Sequence, residues 1–200
     1  DPSIVAVGGR VELLNPDDAS LSVRSGQARR TFTVETFDPG AIPVIGCNMS
    51  FARRIFEEVG MFDDLFGPGD PIPAAEDLDF LWSVCRRGYA IYYCPHLLVL
   101  HNHGRQSEQE KTESARGYIF GRGAFYAKYI VRFDLPIIKR ALYETRYVLR
   151  SWLRPNDDWK TAIPPAAYLR ALVAGGCFWV WRSLTRPFRA GYPYDSPANQ

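Results

Sequence analysis

A helix-forming segment that leads directly into strand-like sequence limits the folds open to this chain more than any other feature. In "AEDLDFLWSVCRRG", Leu78, Leu81, Trp82 and Cys85 recur at helical spacing. "YAIYYCP" and "HLLVLHNHG" follow as two short strand-like runs divided by Pro95. Helix, strand and strand in this order predict an α/β sheet whose loops meet near the strand ends, where ligands of open sheets bind.

The flanking segments complete the predicted organisation. "SIVAVGGRVELL" predicts a buried strand, and Ser50 is placed to cap a short helix that ends at Gly60. Three further helices are predicted, roughly over residues 112–132, 135–154 and 164–184. We therefore expect an α/β part over residues 1–110, a mostly helical basic part over 111–188, and a disordered tail over 189–200.

Composition and charge narrow the functional classes. Two hundred residues with 46% apolar content suit a globular chain with a sizeable core. The sequence has no apolar run long enough for a simple membrane span, and its four cysteines lack CxxC spacing, which predicts reduced thiols in a cytosolic setting. Residues 1–103 hold 8 Lys and Arg against 14 Asp and Glu, a net charge of −6, whereas residues 104–200 hold 16 against 8, a net charge of +8. The first half favours a cation or basic ligand, and the second favours phosphate, nucleic acid or an anionic membrane.

Three carboxylates, Glu76, Asp77 and Asp79, crowd the first turn of the predicted helix. Acids at a helix N-terminus are stabilised by the helix dipole and by exposed N–H groups, so spacing alone favours a structural role. A functional interpretation is also open, in which one carboxylate is a general base and its neighbour orients the substrate.

Histidines and a glycine-flanked arginine are the other candidates. His101 and His103 fall on one face if the strand continues, a spacing compatible with a metal, and one of them completing an oxygen-rich Mg²⁺ or Mn²⁺ site is possible. Gly117, Gly121 and Gly123 each cost a helix about 1 kcal/mol relative to Ala, so close packing or a ligand should compensate. Arg122 either reaches a phosphate or lies in solvent beside a close helix contact.

Residues 46–105 together resemble a known family, the family 2 glycosyltransferases of GT-A fold. The resemblance rests on "GCNMSFARRIFEEVGMFDDLFG", "GPGDPIPAAEDLDFLWSVCRRGYAIYYCP" and "LVLHNHGR", in that order and at similar spacing. It covers about a third of the chain, and "DPSIVAVGGRV" extends it upstream. The resemblance implies that the first part is the C-terminal portion of a GT-A, Rossmann-like domain.

The resemblance also implies roles for individual residues. Asp77 would be the general base, and Glu76 would contact the acceptor or orient the site. Gly46, Asn48 and Met49 would line the acceptor and donor-sugar pocket. His101, or less favourably His103, would ligate the divalent metal on a nucleotide-diphosphate sugar. The implied activity is a transfer, inverting at the anomeric carbon, to a glycan or lipid-linked acceptor in polysaccharide assembly.

A departure from the family limits this expectation. Such enzymes begin with a nucleotide-binding half that ends in Asp-x-Asp, and no such half precedes Asp1. Asp77-Leu78-Asp79 has the letters of that motif but lies in the later Glu-Asp position. We therefore expect an incomplete chain that is inactive by itself.

Two other classes remain open. In the first, basic helices such as "KRALYETRYVLRSWLR" bind a membrane or nucleic acid, and the acids are structural. The aliphatic residues among the aromatics favour a membrane, with Ile138, Leu142, Leu149, Trp152 and Leu153 near one stripe, so we expect no nucleic-acid partner and a location at the cytoplasmic membrane face. In the second, His101, His103 and Asp77 form a metal-dependent hydrolase, but no complete ligand set is found.

Overall fold

The computed structural model describes residues 1–153 and 163–185. The predicted tail over 189–200 and the segment 154–162 lie outside the described residues. The described chain is an α/β fold with a mixed four-stranded sheet. The strands are β1 (Ile4–Leu13), β2 (Arg30–Phe32), β3 (Met49–Phe51) and β4 (Ala90–His101), and the helices are α1 (Arg54–Glu58), α2 (Glu76–Arg86), α3 (Glu108–Ile130), α4 (Leu135–Leu153) and α5 (Pro165–Thr185). A short 3-10 turn, Gly46–Asn48, precedes β3.

The chain divides into two compact units. The first, called the sheet unit, contains residues 1–63 and 76–106, and the second, called the helical unit, contains residues 64–75 and the helices α3 to α5. The boundary after Gln106 falls four residues before the predicted one. The Gly/Pro-rich loop 64–75, which sequence placed in the α/β part, belongs instead to the helical unit.

The sheet unit is built around one parallel strand pair. The strand order is β2-β4-β1-β3, in which β1 runs parallel to β4 and the two short outer strands are antiparallel to their neighbours. Helix α2 buries the residues predicted for its inner face, Leu78, Leu81, Trp82 and Cys85. The predicted strand "SIVAVGGRVELL" and the predicted helix at the carboxylate cluster are both confirmed.

Two predictions about the sheet unit are wrong. The runs on either side of Pro95 are one strand, because the register with β1 steps from Gly9–Cys94 to Arg10–Leu98 and a bulge absorbs the extra residues. Ser50 does not cap α1. It lies in β3, and α1 begins at Arg54 after Arg53 with no side-chain cap.

The helical unit has the three predicted helices, and close backbone packing explains Gly123 and Gly175, whereas Gly117 has only an ordinary side-chain contact with Pro73. A Cβ atom on Gly123 would lie 1.9 Å from the carbonyl oxygen of Leu172 in α5, and one on Gly175 would lie 1.9 Å from that of Phe120. Helices α3 and α5 therefore touch through their backbones, which compensates for the low helix propensity of glycine. Helix α3 begins with a capping box formed by Ser107 and Glu110.

None of the helices in residues 1–153 and 163–185 combines the length and apolar character needed to cross a bilayer.

Candidate functional site

Asp77 lies at the start of α2 and is held by two backbone donors. The N–H of Leu78 donates to Asp77 Oδ1 at 2.7 Å, and the N–H of Gly46 donates to Oδ2 at 3.3 Å. Gly46 is 31 residues away in sequence, so this contact joins the 3-10 turn to the N-terminus of α2. Ala75, the residue before the first residue of α2, has a positive φ of 80°, a conformation that costs a non-glycine residue free energy and recurs at functional sites.

Burial raises the pKa of the Asp77 carboxyl above its ordinary value of 3.8, and the N–H groups of Leu78 and Gly46 only partly oppose that shift. The carboxylate is therefore a stronger base than an exposed aspartate. Glu76, the other predicted catalytic acid, is the first residue of α2 and is partly exposed. Asp79, two residues further, is buried.

The 3-10 turn brings Gly46 next to Asp77. A Cβ atom on Gly46 would lie 3.7 Å from Asp77 Oδ2 and 3.9 Å from Met49 Cε, so a side chain at this position would meet both residues. Asn48 is a structural clamp. Its side-chain amide donates to the carbonyls of Arg10 and Leu97, both at 2.9 Å.

Cys47 belongs to this neighbourhood, although sequence analysis did not select it. It lies between Gly46 and Asn48 and is exposed. Partial desolvation of its sulfur and then the negative charge of Asp77 raise the pKa of its thiol, which keeps the thiol protonated near neutral pH. In the sequence, only its position next to Gly46 could have indicated that Cys47 lies near Asp77.

His101 and His103 differ in what their rings bind, although their rings are neighbours with centroids 5.4 Å apart. Nε2 of His103 donates to the carbonyl of Ala19 at 2.9 Å, and Nδ1 accepts from the N–H of Arg105 at 3.1 Å. Both ring nitrogens of His103 are thus engaged. Nδ1 of His101 is buried and has no hydrogen-bond partner among the described residues.

The position of His101 also favours a role at a ligand. It is the last residue of β4 and pairs with Leu13, the last residue of β1. These are the carboxyl ends of the parallel strands, where ligands bind in α/β sheets. Strand β4 resumes its register with β1 at Leu98, three residues before His101. The end of the bulge therefore lies about 10 Å along the strand from His101.

Asp18 supports the His103 segment and was not selected from sequence. Its Oδ2 accepts from the N–H of Gly104 at 2.9 Å, its Oδ1 accepts from the Gln106 amide at 3.1 Å, and its Oδ2 lies 3.6 Å from His103 Nδ1. Burial alone would raise the pKa of the Asp18 carboxyl, but these donors lower it below its ordinary value. The "NPDDAS" loop is therefore tied to the end of β4.

The described residues contain no group of three or more His, Cys, Asp or Glu side chains arranged to hold a metal. His101 is thus a candidate for one ligand, and the described residues would not complete a metal's coordination by themselves.

Arg122 lies in the helical unit and differs from both sequence interpretations. Its Nη1 donates to Glu144 Oε1 and to the hydroxyl of Tyr168, each at 3.1 Å. The hydroxyls of Tyr168 and Tyr126 donate to the two oxygens of Glu144, both at 2.5 Å. Arg122 is therefore part of an internal polar network that ties α3, α4 and α5 together, and its Nη1 is engaged in that network.

No family model, curated protein or solved structure matches this chain.

Proposed function

We propose that the sheet unit is the C-terminal part of a GT-A glycosyltransferase domain and that Asp77 is its general base. The observation that carries the proposal is the hydrogen bond from Gly46 to Asp77. It joins two of the segments on which the family 2 resemblance rests. The raised pKa of Asp77 and its position between an exposed turn and a helix N-terminus give it the chemistry that the role needs.

The proposed reaction moves one proton and exchanges one bond. An acceptor hydroxyl gives its proton to a carboxylate oxygen of Asp77 while the hydroxyl oxygen attacks the anomeric carbon of a nucleotide-diphosphate sugar. The bond from that carbon to the diphosphate oxygen breaks, and the diphosphate leaves with the electron pair. Attack opposite the leaving group inverts the anomeric centre.

The residues around Asp77 would position the acceptor. Gly46 lacks a side chain where a Cβ atom would approach Asp77, so the proposed pocket stays open at the carboxylate. Met49 would offer an adaptable apolar wall, and Glu76 would bind a second hydroxyl of the acceptor. Asn48 would act through the backbone, because its amide holds the turn against β1 and β4.

His101 is the residue we propose for a divalent cation, Mg²⁺ or Mn²⁺. Its buried Nδ1 without a partner in the described chain fits a nitrogen donor, whereas both ring nitrogens of His103 are already used. A divalent cation would neutralise charge on the departing diphosphate. His101 supplies a single ligand, so the remaining ones would come largely from oxygen atoms of the nucleotide.

The test is release of nucleoside diphosphate from a panel of nucleotide sugars by the natural full-length protein. Asp77→Asn should lower turnover by about 10² to 10⁴ and leave donor affinity nearly unchanged. Asp17→Asn is the matched control, because it makes the same change at an exposed acid of the same unit. Turnover by Asp77→Asn equal to that of Asp17→Asn would refute the role of Asp77 as base.

A second measurement tests the metal ligand. In calorimetric titrations with nucleoside diphosphate and Mn²⁺, His101→Ala should weaken metal-dependent binding more than His103→Ala. His103→Ala should instead lower the melting temperature, because the N–H of Arg105 loses its acceptor and the carbonyl of Ala19 keeps only the N–H of Leu21 as donor. The opposite ranking in the titration would move the ligand to His103.

A further inference from the structure

Helix α4 has one face that packs inside the helical unit. Its buried residues, Ile137, Ala141, Glu144, Val148 and Ser151, are spaced three or four apart and form a single stripe. That stripe includes Glu144, which binds Arg122 of α3 and Tyr168 of α5. The buried residues of α4 therefore all lie on this inner face.

A second apolar stripe lies on the opposite side of α4. Leu142, Leu149 and Leu153 follow one another at intervals of seven and four residues, and they are 59%, 37% and 76% exposed. Three outward leucines in line on a helix that already has a buried face exceed the scattered apolar residues of an ordinary surface. They are three of the five residues that sequence analysis placed on one stripe.

Cations border this second stripe. Lys139, Arg146 and Arg150 are exposed, and at about 100° per residue they lie beside the leucines on the outward side. The only acid in α4 is Glu144, and it is buried and paired with Arg122. The outward face of α4, defined here as these three cations and the three leucines, therefore carries positive charge with no acid of its own helix to offset it.

We propose that the outward face of α4 docks on the surface of an anionic lipid bilayer. Apolar side chains enter the boundary between headgroups and acyl chains, and neighbouring cations attract anionic headgroups, so a bilayer satisfies both parts of the face. Trp152 and Tyr143, both exposed on the same helix, suit the headgroup depth. This proposal does not depend on the proposed catalytic role of Asp77.

Two other occupants fit the face less well. A nucleic acid would bind the cations, but it would leave the three leucines against phosphate and sugar. Proteins that bind single-stranded nucleic acid offer aromatic rings for the bases to stack on, and these leucines cannot do that. A second copy of the same face would set three cations against three cations, which opposes a symmetric dimer. Both are outcomes that the experiment below distinguishes.

The experiment is co-sedimentation of the full chain with vesicles of phosphatidylcholine alone or of phosphatidylcholine with about a quarter phosphatidylserine. We expect binding to the anionic vesicles at about 0.05 M salt and weaker binding at about 0.5 M salt. Each basic residue at such a surface strengthens binding about fivefold, so Arg146→Gln with Arg150→Gln should weaken it by about 20-fold to 30-fold. Leu142→Gln with Leu149→Gln should weaken it by at least about tenfold.

The matched controls lie in the sheet unit. Leu98→Gln with Leu100→Gln changes two comparably exposed leucines of β4, and Arg53→Gln with Arg87→Gln changes two exposed arginines. These variants should bind anionic vesicles as the unchanged chain does. Equal losses in the controls and in the α4 variants would overturn the assignment of the outward face.

Tryptophan emission of the unchanged chain reports binding without any substitution, because lipids brominated near the headgroup should quench it when the chain binds. Trp152→Phe then locates the contact, since it should remove a substantial part of that quenching. Failure of the unchanged chain to bind anionic vesicles would overturn the proposal. Two other results, each in the absence of vesicle binding, would also overturn it. One is a dimer of the unchanged chain that the leucine variant does not form, and the other is binding of single-stranded DNA that the arginine variant has lost.

Discussion

Replacing Gly123 by Ala tests whether the backbone contact between α3 and α5 organises the helical unit. A Cβ atom at this position would lie 1.9 Å from the carbonyl oxygen of Leu172, 2.8 Å from its carbonyl carbon and 3.0 Å from its Cα. Real Cβ atoms essentially never approach within 3.0 Å of another heavy atom. Because the obstacle is helix backbone, α5 would have to move away by roughly 1 Å.

The magnitude follows from two opposing effects. Alanine in place of glycine inside a helix gains about 1 kcal/mol in propensity. A gap of about 1 Å forfeits up to about half of the dispersion attraction across the contact, and overpacking costs about 1 to 3 kcal/mol or more. Because the obstacle is backbone, the overpacking cost lies at the upper end, about 2 to 3 kcal/mol, and we expect Gly123→Ala to lower the free energy of unfolding by about 1 to 2 kcal/mol, which lowers the melting temperature by roughly 2 to 8 °C for a chain of this length.

Gly117→Ala is the matched control in the same helix. Its Cβ atom would lie 3.6 Å from Pro73 Cγ, an ordinary van der Waals contact, so only the gain in helix propensity should remain. Thermal unfolding followed by circular dichroism at 222 nm should therefore move in opposite directions for the two variants. Equal melting temperatures, or a more stable Gly123→Ala variant, would refute the account of α3 against α5.

Four further outcomes are expected. Ser107→Ala should lower the free energy of unfolding by about 1 kcal/mol in urea titrations, because the capping box of α3 loses its side-chain acceptor. Glu144→Gln should cost about 3 kcal/mol by leaving Arg122 without its counter-ion. Burial alone would raise the pKa of Glu144, but the charge of Arg122 holds that pKa below its ordinary 4.5. The unchanged chain should therefore lose stability as the pH falls below 4.5, and the Glu144→Gln variant should largely lack this pH-dependent loss. Ala75→Gly should raise stability by about 1 kcal/mol, because glycine adopts a φ of 80° without strain. For Asp77 the pH dependence of stability has the opposite direction. Because the pKa of Asp77 is raised in the native state, the native state loses stability as the pH rises above 3.8, and Asp77→Asn should remove that loss when unfolding is measured as a function of pH.

The long elements could be predicted from the sequence because their periodicity is local. The inner face of α2 and the three helices α3 to α5 each repeat over several turns, and β1 is apolar along most of its length. Strands β2 and β3 are three residues each, too short for any periodic signal, and they exist because β4 and β1 offer free edges. The prediction that the strand breaks at Pro95 was wrong for a related reason. A bulge in the ladder accommodates the missing N–H, and that depends on the neighbouring strand.

The candidate site was less accessible because its contacts join distant parts of the chain. Spacing alone favoured a structural role for Asp77 at a helix start. Its hydrogen-bond donor Gly46 is 31 residues away in sequence, so spacing could not reveal that contact. His101 and His103 are equivalent as letters, and they are distinguished only by the partners that Ala19 and Arg105 supply to one of them. For Arg122, the acid that binds it lies 22 residues further on. No short motif encodes such pairings.

The buried carboxylates of Glu144 and Asp18 differ from the half-buried carboxylate of Asp77, and the difference bears on the choice of Asp77. Glu144 has a guanidinium and two hydroxyls, and Asp18 has a backbone N–H and an amide, so in both cases partners outweigh the effect of burial and the pKa falls below its ordinary value. At Asp77 the two backbone N–H groups do not outweigh burial, and the pKa rises. Carboxylates that serve only packing are normally compensated, because an uncompensated one lowers stability at neutral pH. A carboxylate that must take up a proton gains basicity from the same lack of compensation, and this is the physical ground on which we prefer Asp77 to Glu144 and Asp18 as the proposed base.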